Sequence, residues 1–357
     1  MDTLTSLNWM KENNLTDLAK EASQQLRKIF FPCLGIQNEK ILIIGDIGSR
    51  GKYVSPVLAG GYYYAAESLN LNAKLILQES KVRGTEADIE VQDAIAELRE
   101  KNVIVTILSD KLGGLGKLGK SFRKFCYSKK HRFVSAPSLG RLDTSRVFDI
   151  LKAIDINYKP LQAQHAEIKK QLDEASELHV TTSAGTDLLF NIEGAEAVAS
   201  DGNYVLPGKG GNLPAGEVFI PPNGKKVEGK VVIDVSSRTI KGTCLVKDPV
   251  TLTIKNGSIV NIEGKEEAQE LEQTLKWAAT KAKYPYNLRR ISEFGIGLNP
   301  NASVIGATIV DEKTKGTAHI AIGSNYWFGG DIYAFIHLDQ IFNKPEIRLD
   351  GKLLKID

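Results

Sequence analysis

A chain of 357 residues, 42% hydrophobic and 25% charged, has ordinary globular composition and length enough for two domains with buried cores. A formal net charge of +3 gives no reason to expect nucleic-acid or membrane binding. The cysteines Cys33, Cys126 and Cys244 lie far apart with no C-x-x-C, which argues against a disulfide framework or a thiolate zinc cluster and fits a reducing compartment.

Residues 1–30 carry a polar amphipathic helix pattern without an apolar signal core, and no apolar run of ~18 residues follows. A soluble, cytoplasmic protein is expected. Next come alternating strand and helix patterns: "KILIIGD" (40–46), a helix over 56–70, "AKLILQES" (73–80), a helix over 86–101 and "NVIVTILSD" (102–110). A basic helix (120–130), a strand (131–140) and a helix over 160–177 complete the first half. Such alternation predicts an open, mostly parallel α/β sheet. Beyond residue 178 short β patterns punctuated by Asn-Gly and Asp-Gly take over, interrupted by one helix over 266–283. The expected division is an N-terminal α/β domain, 1–175, and a C-terminal α+β domain rich in antiparallel strands, 176–357.

"GLGKLGKS" (114–121) fits the phosphate-loop pattern through Gly114, Gly119, Lys120 and Ser121. A phosphate loop needs a strand running straight into it, and "SDKLG" intervenes. Its usual strand-end Asp is out of order as well, so the match reads as an accidental surface linker. "GDIGSRG" (45–51) has the wrong glycine spacing for a dinucleotide fingerprint.

Metal-ligand types gather near the C-terminus. His337 and Asp339 in "FIHLDQIF" are two apart and share one face of a strand. His319 lies in the small-residue strand "GTAHIAIGSNY". Glu293 in "ISEFGIGLNP" and Glu217 in "GNLPAGEVFIPP" sit in apolar and glycine surroundings without a neighbouring cation, which calls for exposure or a strong partner. Two histidines and three carboxylates suit divalent ions.

In the order "GTDLLF", "NLPAGEVFIPP", "EFGIGLNP", "GTAHIAIGSNY", "FGG", "HLD" and "IRLDGKLL", these segments resemble the aminopeptidase T / aminopeptidase S family of metallopeptidases. The likeness covers residues 180–357 and extends more faintly over 40–140. It implies a two-metal aminopeptidase holding zinc, cobalt or manganese, with Glu293 bridging the ions. Glu217 and His319 would complete one site, and His337 with Asp339 the other. It further implies a peptide substrate with a free N-terminus, Tyr326 as donor to the tetrahedral oxyanion, and a homodimer. This chain has "HLD" where the family usually has "HWD", and a shorter stretch between His319 and His337.

Dihydroxypyridine ring-cleaving dioxygenases resemble the same family and use one ferrous ion, for which His319, His337 and Asp339 would form a two-His-one-carboxylate set. The alternatives to the peptidase are therefore such an oxygenase or a metal-stabilised protein that binds peptide without turnover.

Overall fold

The computed structural model describes residues 1–119 and 121–356. The chain divides into two compact units, Met1–Tyr158 with Gly202–Ala215, and Lys159–Asp201 with Gly216–Asp357. The change of sequence texture near residue 175 reports where helix gives way to hairpins. The structural division differs from it: all but the first residue of the helix Tyr158–Glu174 belongs to the second unit, and residues 202–215 return to the first.

In the first unit a parallel sheet takes the strand order Ala73–Gln78, Ile41–Asp46, Val103–Ile107, Arg132–Ala136, Gly210–Asn212. Ile41–Asp46 is buried along its whole length, as a strand covered on both faces must be, and so reads as a continuous apolar run. The helix Val54–Ser68 is buried almost throughout. At Gly61 a Cβ would press on Ala22 and Leu26, so glycine lets the helix Thr16–Leu26 approach closely. The amphipathic pattern over residues 1–30 resolves into two helices, Thr3–Glu12 and Thr16–Leu26, because Asn14 turns the chain at φ 57°.

The glycine-lysine run of residues 114–121 is tied down locally. Gly114 N–H donates to Thr85, Gly116 N–H to Glu86 Oε2 at 3.2 Å, and Leu118 N–H to Leu115. Ser121 Oγ caps the seven-residue helix Phe122–Ser128 by accepting from Lys124 N–H. Those donors and that hydroxyl are already committed to protein partners, in keeping with an accidental motif; Lys120 lies outside the described residues.

The second unit holds two seven-stranded antiparallel sheets. One runs Ser258–Glu263, Val250–Lys255, Val227–Ile233, Asp187–Asn191, Glu177–Thr181, Glu346–Leu349, Lys352–Leu353. The turns Asn256–Gly257 and Asp350–Gly351 have positive φ at both residues, the geometry those dipeptides favour in tight hairpins. The other sheet runs Gly242–Leu245, Ser236–Thr239, His337–Asn343, Thr317–Gly323, Ile291–Gly297, Glu217–Ile220, Val198–Ser200. One apolar core joins both sheets to the helix Glu266–Ala279 through residues such as Phe190, Leu252, Leu271, Phe294, Ile320 and Phe342. The Phe190 and Phe294 rings lie 5.2 Å apart. Among the described residues no helix is long and apolar enough to cross a membrane.

Candidate metal centre

The second of these sheets turns one face to the core and the other to the site. On Ile291–Gly297, Phe294 and Ile296 join the core, while Glu293 and Gly295 point the opposite way. Strict alternation would put Ile291 on the site face. A bulge between Ile291 and Glu293 shifts the register, so Ile291 joins the core as well. Cross-strand pairing then fixes the array. His319 lies opposite Gly295, Glu217 opposite Gly297, Asp339 opposite Ala321, and His337 opposite Gly323. Each polar group faces a small residue, which leaves room above the sheet. At Gly295 that room is required, since a Cβ would collide with the His319 ring.

All five sequence-assigned ligands converge. His319 Nε2 lies 3.1 Å from Glu293 Oε1 and 3.8 Å from Glu217 Oε2. His337 Nε2 lies 3.0 Å from Asp339 Oδ1 and 3.7 Å from Glu293 Oε2. Glu293 thus stands between the two imidazoles. His337 Nδ1 sits 2.8 Å from the Ser324 carbonyl. A carbonyl only accepts, so Nδ1 carries a hydrogen, and Nε2 is the nitrogen turned to the carboxylates, donating to Asp339 and free to ligate a metal once it gives up that proton. The remaining three of the five histidines stand apart: His179 pairs with Asp187, and His131 and His165 are buried elsewhere.

Two members escaped the sequence reading. Glu312 and Lys313 lie in "VDEKTKG", a charge-rich run that reads as an exposed turn. The short helix Thr308–Asp311 and the segment after it lie across the sheet at Gly297, where a Cβ would strike the Thr314 carbonyl. Lys313 is consequently fully buried, with Nζ 3.0 Å from Glu217 Oε1 and in close contact with Glu312 Oε1. The available signal was Gly297 itself, a glycine at a strand end where another backbone comes close.

Ligand atoms fall into two groups, each within 4.8 Å: Glu217, Glu312 and His319; and Glu293, His337 and Asp339. The triad of His319, His337 and Asp339 is not one of these groups, since each histidine collects carboxylates of its own. Electrostatics show what the array lacks. Burial raises Glu217, Glu293 and Glu312 above the usual carboxylate range. Burial alone would lower His319, yet its hydrogen bond to Glu293 and the surrounding carboxylates push it up to about 9. His337 is likewise raised to about 9, by Asp339 and Glu293 against burial. Despite its own burial, Asp339 is held well below the usual range by His337, with help from His319 and Arg238. Burial would lower Lys313, but Glu217 and Glu312 raise it instead. Four buried carboxylates face one ammonium, and the two imidazoles hold on to protons to offset the rest, a role that a divalent metal would take over from them. Imidazole and carboxylate donors in these two groups suit a divalent metal.

One side of the array is open. The His337 side chain is 22% exposed, whereas those of Lys313 and His319 are 0% and 1% exposed. Trp327 packs edge-on against His337, ring centroids 4.7 Å apart, with half its own surface free. Asn325 pins this loop by donating to the Ser292 carbonyl and accepting from Ile332 N–H. Tyr326 is 59% exposed, packs on Tyr333, and makes no hydrogen bond to the array among the described residues.

A family model described as NicX: 2,5-dihydroxypyridine 5,6-dioxygenase matches residues 22–356. The chain belongs to this family. A 2,5-dihydroxypyridine 5,6-dioxygenase from Pseudomonas putida KT2440 is 29% identical over 190 residues, 51% of this chain and 53% of that protein. The match thus spans about half the length of the curated relative. Among solved structures, the 2,5-dihydroxypyridine dioxygenase of Pseudomonas putida KT2440 superposes with a TM-score of 0.72 at 19% identity, covering 95% of this chain and 96% of that one. Wild-type AmpT from Thermus thermophilus superposes at 0.61 and 15% identity, covering 96% and 100%. Both likenesses are of fold.

These findings overturn the peptidase expectation. The family match points to an oxygenase, not a hydrolase acting on peptides with a free N-terminus, and the oxyanion role of Tyr326 goes with it. AmpT shares the fold, and imidazoles and carboxylates suit hydrolytic and oxidative metals alike, so ligand types by themselves do not separate the two chemistries.

Proposed function

We propose that this chain is a metal-dependent dioxygenase that opens the ring of a small hydroxylated pyridine. Family membership over residues 22–356 supports the reaction class. Support for locating it at the open end of the array comes from the grouping there of Glu293, His337 and Asp339, with Trp327 packed on His337. Those three residues would hold a single ion, in place of the expected zinc, cobalt or manganese pair. Ferrous iron there would supply the redox chemistry that lets dioxygen react with an aromatic ring.

The protein's own part is to hold and orient. The Ser324 carbonyl holds His337 Nδ1–H and so turns Nε2 toward the ion's place, and Asp339 is kept ionised beside it. The exposed face of Trp327 matches a flat aromatic ring laid across the mouth. With a substrate of the relative's kind, the C5–C6 bond would break and both atoms of one dioxygen would remain in the product. No outside reductant is needed.

The test is oxygen uptake by protein loaded anaerobically with Fe(II) and mixed with 2,5-dihydroxypyridine. One dioxygen should be consumed per ring lost, and Asp339→Asn should abolish turnover. No uptake by folded, iron-loaded protein would refute the reading, as would release of nitroaniline from leucyl-p-nitroanilide.

A further inference from the structure

The two ligand groups look alike in composition, each with one histidine and two carboxylates. They differ in that one already contains a cation. We propose that the Lys313 ammonium occupies the second cation position permanently, so that the chain takes one divalent ion, at Glu293, His337 and Asp339. This rests on the reading of a metal-dependent site, though not on any reaction with dioxygen.

Geometry carries the argument. Lys313 Nζ is 3.0 Å from Glu217 Oε1 and also contacts Glu312 Oε1, so it uses an oxygen from both carboxylates of its group. A charged lysine donates three hydrogens and has no lone pair to offer a metal. An ion in that group would need carboxylate oxygens at ~2.0–2.2 Å, which would set it against the ammonium. A divalent ion could enter that group only if the lysine left, and its side chain is fully enclosed. The side chains of Lys313 and His319 are 0% and 1% exposed, against 22% for His337, so this end has no mouth for an exchanging ion or a substrate. A catalytic ion needs an open position, and the open end belongs to His337. Glu293 is the hinge between the two groups. One oxygen faces His319 on the lysine side and the other faces His337 on the open side. His319 is then a partner that orients Glu293, while Lys313 neutralises the carboxylates behind it.

Metal counting decides the matter. The full-length protein is loaded with excess Mn(II) or Zn(II), desalted, and its ions counted by mass spectrometry. Wild type should hold one ion per chain; two would overturn the proposal. Lys313→Ala removes the charge and opens space beside Glu217 and Glu312, and the count should rise from one to two. Lys313→Met keeps the length and fills that space, and should stay at one. A lysine with a purely structural role would leave a folded Lys313→Ala protein at one ion, which would refute the idea. Should Lys313→Ala fail to fold, the wild-type count still decides, with Asp339→Asn beside it. That variant should lose the ion, and one tightly held ion in it would place the metal at the lysine end and overturn the proposal. Zero ions in wild type would refute both this and the metal-dependent function, whereas one ion without oxygen uptake would refute only the function.

Discussion

The parallel sheet of the first unit and the site-bearing antiparallel sheet of the second handle buried charge in opposite ways. In the first, Asp46 sits fully buried at a strand end, and local donors satisfy it. Ser109 donates its backbone N–H and its hydroxyl, each at 2.6 Å, and Gly48 N–H donates at 3.0 Å. In the second, Glu293 faces two imidazoles. Histidines away from the site differ from those in it. His131, in the first unit, and His165, on a helix of the second, are lowered by burial, whereas His319 and His337 on the site sheet are raised by carboxylates. A buried carboxylate whose neutral donors are all supplied by the surrounding fold is structural, while a buried cluster that holds carboxylates, imidazoles and an ammonium together is a candidate for chemistry.

The sharpest way to break this contrast lies within one strand. Phe294 and Gly295 are neighbours on opposite faces of the site sheet. Phe294→Ala hollows the core against Phe190 and should cost ~3–5 kcal/mol in unfolding experiments, with metal still bound by the folded fraction. Gly295→Ala should cost less, ~1–3 kcal/mol, yet weaken metal retention, because its Cβ displaces His319 and, through it, Glu293. Equal metal retention in the two variants would mean that the faces are not separate in function.

At the mouth of the site, Trp327→Ala should raise KM about tenfold, the equivalent of ~1.4 kcal/mol of lost stacking, with a smaller change in kcat. An unchanged KM would remove the tryptophan from substrate binding. In the first unit, Ser121→Ala deletes a helix cap and should cost ~1 kcal/mol by chemical denaturation without altering metal content or turnover. A loss of turnover there would return chemical significance to the glycine-lysine run.

The smallest expected effect concerns pH. His131 is neutral in the fold, its Nδ1 accepting from Asn102 N–H at 3.2 Å, and burial depresses its pKa below that of an unfolded histidine. Its contribution to stability is therefore whole above about pH 6.5 and declines as pH falls below that value, because the unfolded chain takes up the proton first. His131→Gln should show a smaller drop in Tm between pH 7 and pH 5 than wild type. Parallel curves would show that His131 does not couple folding to protons.

Much of this molecule was determined by sequence alone. Strands such as Ile41–Asp46 and the hairpin at Asn256–Gly257 follow from local patterns, since apolar runs and left-handed turn residues act within a few positions. That Glu217, Glu293, His319, His337 and Asp339 need partners was also legible, because a carboxylate or imidazole in an apolar strand cannot stay unpaired; that they find them in one another is what the structure adds. Tertiary structure alone decided the rest. The bulge at Ser292 sets which side chains of its strand reach the site, and strict alternation does not foretell it. Glu312 and Lys313 belong to the site only because their segment folds back over Gly297, and a charge-rich run carries no local mark of what will cover it. The kind of chemistry was undecided for a related reason. Ligand types specify that a cation is wanted, whereas the number of ions and the open face depend on long-range packing around the same five side chains.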